Sequence, residues 1–184
     1  MTAGDGAPST PPAPARRPEV PPTMVVPRPA ETLPADEMTM ARGWLVHLRE
    51  SVIYKLADLD DEQLRWRPAP TANSLGVIAV HLGYTERFWL RAVVAGEEMD
   101  MAWRSQNFTL PDGWSVADIV RFYRSETAAA DAVLDAARSF DVGSRGPMRP
   151  TTLRWAVMHL IEETARHAGH MDITRELLDG RTGR

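Results

Sequence analysis

The sequence predicts an all-α four-helix bundle. Four long stretches carry apolar residues every three or four positions, no stretch shows the strict alternation of a half-buried strand, and proline- or glycine-bearing breaks separate them. A chain of 184 residues suits one such domain. Its composition, 43% hydrophobic and 25% charged, allows enough burial to offset chain entropy without cross-links.

Residues 1–35 stand apart. Ten of the fifteen prolines fall within positions 1–34, among Ala, Gly and Thr, where neither helical hydrogen bonding nor burial can be sustained. The expectation is a disordered tail over 1–35 and a helical domain over 36–184. PxxP-like spacing at Pro11 and Pro14 is the kind that chance produces in any proline-rich tract, and Met24 offers an alternative start, which leaves open whether residues 1–23 belong to the native protein.

After Asp36, Met40, Trp44, Leu48, Val52 and Leu56 recur at intervals of four with Leu45 and Ile53 beside them, predicting a first long helix with that stripe buried. Residues 58–71 read as a short helical turn and a loop, because Pro68 and Pro70 forbid continuation. Ser74 is placed to cap a second helix whose apolar set is Leu75, Ile78, Leu82, Phe88, Trp89, Ala92 and Val93, ending at Gly96. A loop follows over 97–114. Ser115 then opens a third helix with Val116, Ile119, Val120, Tyr123, Thr127, Ala130, Val133 and Leu134 inward, and the 143–150 stretch breaks it. The last helix starts near Thr151 or Thr152 and runs to Asp179, with Gly180 free to take the left-handed terminating conformation.

Several function classes drop out. A formal net charge of -4 and the lack of basic runs interleaved with aromatics argue against nucleic acid as a partner. With no cysteine, disulfides, thiolate zinc sites and cysteine nucleophiles are impossible, so any metal must be held by His, Asp and Glu. No signal-peptide layout or membrane-length apolar run is present, and the expected compartment is the cytoplasm. Gly143-Ser144-Arg145-Gly146 follows a helix, not the strand that a phosphate loop, dinucleotide fingerprint or nucleophile elbow requires. Core or pocket lining is the default role of the six tryptophans, with Trp103 and Trp114, in the long loop, as candidates to roof a pocket.

The fourth helix carries the informative residues. Ala156, Leu160, Glu163, His167, His170 and Thr174 share one side, and half of that stripe is polar. Glu163 and His167 can form an ordinary turn-spaced ion pair on a wet face, or they can point two donor atoms at one ion, the geometry that helical zinc motifs use. His81 favours the second reading, since another helix independently places an imidazole on its own apolar stripe and ligands from facing helices converge in bundles. His159, one turn before Glu163, reads as a core histidine or as support for a ligand, and His47 as core or pocket wall.

The segment from Ser74 to Leu82 with Glu86-Arg87-Phe88-Trp89, and the run IEETARHAGHMDITRELLDG over 161–180, resemble the DinB-like superfamily, in particular its branch of uncharacterised proteins related to mycothiol-dependent maleylpyruvate isomerase. The likeness spans about 36–180, and the C-terminal run is its specific part. It implies a four-helix bundle with one divalent metal, held by a histidine of the second helix and two turn-spaced residues of the last. By motif position these are His81, Glu163 and His167, with His170 a pocket residue. Two nitrogens and one oxygen leave open positions on zinc, the first choice, or on nickel, iron or manganese, which marks a catalytic site more than a structural one. The expected function is a transferase or isomerase that uses a low-molecular-weight thiol of the mycothiol or bacillithiol kind on an electrophilic substrate. The donor set also suits a non-haem iron enzyme, and a non-enzymatic metal-binding or stress-related interaction protein, or a homodimeric scaffold, stays open.

Overall fold

A computed structural model describes residues 36–100, 102, 108–146 and 150–182. The tail over 1–35 with Pro11, Pro14 and Met24, and the proposed roof residue Trp103, lie outside the described residues. The architecture is an all-helical bundle: α1 (Glu37–Leu56), a short α2 (Asp61–Arg65), α3 (Leu75–Glu86) running on into a π-helical segment (Arg87–Ala95), α4 (Val116–Ala136) and α5 (Leu153–Asp179). Among the described residues there is no strand, only an isolated bridge between Gly143 and Thr152, and no helix is long and apolar enough to cross a membrane.

Helix starts follow their caps. Asp36, Asp60, Ser74, Ser115 and Thr152 each accept a backbone N–H of the first turn, and Asp60–Gln63 and Ser115–Asp118 close reciprocal capping boxes. Gly96 (φ 77°) and Gly180 (φ 75°) end their helices in the left-handed region that disfavours other residues. The second predicted helix is wider than expected over its last nine residues, since from Arg87 onward it is π-helical. Its end is closed by the 145–146 turn, where Arg145 and Gly146 donate backbone N–H groups to Val94 and Val93 carbonyls at 3.1 and 2.9 Å. A Cβ on Gly146 would meet the Ala92 carbonyl oxygen at 2.3 Å, so only glycine lets this turn approach.

α1 lies along α5, and α3 lies along α4. Two apolar clusters result. One holds Ala41, Leu45, Trp89, Leu90, Val93, Leu134, Leu153 and Leu160, and the other holds Val52, Leu56, Leu75, Ile78, Leu82, Ile119, Tyr123 and Met171. Each long helix feeds both clusters and carries polar groups in between: the buried Arg49 on α1, Glu86 at the end of α3 and Glu126 on α4, and the half-buried Glu163 with His167 on α5.

This polar layer corrects the expected stripe on α1. The buried positions are Ala41, Leu45, Arg49, Ser51, Val52, Lys55 and Leu56, while Trp44 is 41% exposed. Apolar counting skipped Arg49, yet its guanidinium grips Glu86 bidentately, Nε and Nη2 each 2.7 Å from a carboxylate oxygen, and reaches Asp131 at 2.7 Å. Burial pushes the Arg49 guanidinium toward losing its proton, but the charges of Glu86 and Asp131 outweigh this and hold its pKa above the ordinary value. Trp155, also expected inside, is 46% exposed and packs on Trp89 and His159. Replacing Arg49 with methionine strands Glu86, which is 1% exposed, and should cost about 3–5 kcal/mol in urea unfolding. The double replacement R49M/E86Q should recover most of that loss. A single-variant loss below about 1 kcal/mol would contradict a buried, coupled pair.

Candidate metal centre

α3 presents His81 from the middle of its most buried stretch, between Val80 and Leu82, and α5 presents Glu163 and His167 one turn apart. The side chains meet. The Nε2 atoms of His81 and His167 lie 3.1 and 3.3 Å from the same oxygen, Glu163 Oε1, and the three donor atoms all fall within 4.8 Å of one another. A tetrahedral ion with bonds of about 2.0–2.2 Å separates its ligand atoms by about 3.4 Å, so these residues fit one divalent ion.

The surroundings hold the donors in place. Glu163 Oε2 receives Arg166 Nη1 at 3.4 Å, which leaves Oε1 to the imidazoles. The ring of Phe108 stacks on His81 with centroids 4.1 Å apart and planes inclined by 17°. His81 is 6% exposed, and the Glu163 and His167 side chains are 14% and 12% exposed. Burial pushes the Glu163 carboxyl up, yet the hydrogen bond from His81 and the positive charge of the two imidazoles outweigh it, so its pKa lies below the usual carboxylate value. Burial, and then the neighbouring His81, lower the His167 pKa against the opposing pull of Glu163. Both shifts favour the metal-ready forms, an ionised carboxylate and a neutral imidazole.

The other expected pocket residues do not join this cluster. His170 is exposed, with its ring 5.5 Å from that of His167, beside a cavity of about 330 Å³ that both residues line. His159 stacks on Trp155 at 5.0 Å and meets Trp89 edge-on at 4.9 Å. His47 packs against Trp44 at 5.7 Å, away from the cluster. Trp114 lies in the second apolar cluster, 5.4 Å from Phe122, and the ring found over His81 belongs to Phe108, which sequence reasoning passed over. A lone loop aromatic carries no periodic signal, so nothing in the pattern could have selected it.

The chain is an all-helical bundle of the DinB-like class. Within that class the chain belongs to the mycothiol-S-transferase family, whose model matches residues 40–180. No curated protein matches the chain. Among solved structures, the crystal structure of a conserved protein from Enterococcus faecalis is similar in fold, with a TM-score of 0.60 at 17% identity over 80% of this chain and 100% of that one.

The lowered pKa values of His167 and Glu163 set the sign of the pH dependence of metal affinity. Groups that stay deprotonated to lower pH keep binding metal to lower pH, so NMR titration of the metal-free protein should find the His167 imidazole and the Glu163 carboxyl each protonating at lower pH than in an unperturbed side chain. A His167 midpoint above the usual imidazole value of about 6.5 would contradict the lowered direction.

Proposed function

We propose that this chain is a divalent-metal-dependent transferase that joins a low-molecular-weight thiol to an electrophilic substrate. One observation carries the reading: Glu163 Oε1 lies 3.1 and 3.3 Å from two imidazole nitrogens brought in by α3 and α5, a three-donor set with room for an exchangeable partner. Membership of the mycothiol-S-transferase family supports the thiol, and the cysteine-free chain has no sulfur nucleophile of its own.

His81 Nε2, Glu163 Oε1 and His167 Nε2 would hold the ion, zinc in the first instance. A divalent cation bound there would supply positive charge that favours the thiolate, the nucleophilic form, over the thiol. The protein's own share is placement. Glu163, tied to Arg166 at its second oxygen, keeps one oxygen turned to the imidazoles. Phe108 holds the plane of His81 and covers it on one side, which limits where a thiol can enter. The apolar clusters on either side of the site keep its dielectric low, so charge on the donors is felt more strongly than in water.

The test is conjugation by zinc-loaded protein, using a panel of mycothiol, bacillithiol, glutathione and cysteine. The expected result is turnover above the uncatalysed thiol reaction with at least one of them. H81A, E163Q and H167A should each lose both zinc, measured by elemental analysis, and activity, the latter by about 100-fold or more. Zinc-loaded protein inactive with every thiol would overturn the reading. So would activity that survives metal loss.

A further inference from the structure

The cavity of about 330 Å³ beside the histidine pair shares a wall with the donor cluster, because His167 belongs to both. Its far side is built by Pro68, Ala72 and Asn73 of the loop before α3, by Ile78 of α3, and by Ile173 of α5. The wall is mostly apolar. Its volume lies at the lower end for small-molecule sites and suits a single substituted ring more than an extended ligand. No arginine or lysine lines it among the described residues, and its polar side chains are Thr71, Asn73, His170 and Thr174 beside His167. A carboxylate entering such a cavity would exchange water for a mostly apolar wall, whereas an uncharged ring loses little.

We infer that this cavity is the electrophile's subsite, that Ala72 and Ile173 set its size, and that its mostly apolar wall, without arginine or lysine among the described residues, favours uncharged aromatic electrophiles over anionic acids. The assignment rests on the transferase reading for its reaction, but not for its binding. For an aryl chloride the chemistry balances without a further reactant. The thiol sulfur forms a bond to the ring carbon, the carbon–chlorine bond breaks, chloride leaves with the bonding pair, and the thiol proton passes to water. A cavity that adjoins His167 brings the reacting ring carbon to the edge of the donor cluster, where the sulfur is expected.

The experiment pairs binding with turnover on the zinc-loaded full chain. Calorimetry with 1,3-dinitrobenzene, which has no leaving group, measures occupancy of the cavity. Kinetics with 1-chloro-2,4-dinitrobenzene and its carboxylated analogue 4-chloro-3,5-dinitrobenzoate measure charge preference. Wild-type protein should bind dinitrobenzene and prefer the uncharged chloride by about tenfold or more in kcat/KM relative to the uncatalysed reactions. A72W, which fills the cavity, should raise both the Kd of dinitrobenzene and the electrophile KM about tenfold, with zinc content and thiol KM unchanged. I173R, at a position already 59% exposed, should narrow or invert the charge preference, and it decides the matter if A72W fails to fold. Unchanged constants in both variants, or wild-type preference for the carboxylate, would overturn the inference even while conjugation continues. Dinitrobenzene binding that weakens in A72W, in a protein that conjugates no thiol, would keep the cavity assignment and remove the transferase reading.

Discussion

Glu163 projects a carboxylate from α5 into a level of the bundle where water is scarce, and an ionised carboxylate there must be met by hydrogen bonds or opposite charge. Two imidazoles meet it on one oxygen and Arg166 on the other. The same requirement governs the rest of that level. Arg49 is clasped by Glu86 and Asp131, and Glu126 takes Arg87 Nε at 2.8 Å and Arg91 Nη1 at 3.2 Å. The bundle thus consists of two apolar clusters joined by a layer of paired charge. The donor cluster is the part of that layer whose pairing leaves lone pairs aimed at a shared point.

Helix geometry explains why the cluster forms where it does. On α5 the chain passes from Ala156, Val157 and Leu160 in one apolar cluster to Met171 and Leu178 in the other, and in between lie the buried Thr164 and Ala168 with the half-buried Glu163 and His167 beside them. α3 makes the matching passage, with Ile78 and Leu82 below and Phe88 and Trp89 above, and places His81 opposite. The π-helical turns from Arg87 widen the helix just beyond the site, and such segments commonly accompany functional positions. They need external partners for their carbonyls, which the close approach of Gly146 supplies. The 145–146 turn therefore finishes a helix some fifty residues earlier in the chain.

Much of this was legible in the residues. Ser74, Ser115, Thr152, Gly96 and Gly180 announced helix ends because capping is a local interaction, readable within four positions. The meeting of Glu163 and His167 was legible because turn spacing fixes which residues share a side, and His81 stood out as an imidazole within an apolar set, while their assignment as ligands followed from the family resemblance. What stayed hidden depends on partners distant in the chain. Arg49 looks like a surface residue until Glu86 and Asp131 are found opposite, and Trp44 loses its inward place to it. Phe108 reaches His81 from a loop whose path follows no period. His159, a candidate by its place one turn before Glu163, and His47, read as core or pocket wall, pack against Trp155 and Trp44.

The central claim is that one cation is held jointly by α3 and α5. Anomalous diffraction at the zinc edge from crystals grown with zinc measures this directly. The account predicts a single strong peak at bonding distance, about 2.0–2.2 Å, from His81 Nε2, Glu163 Oε1 and His167 Nε2 together. A protein without a peak there, or with zinc bound only at other histidines, would contradict it.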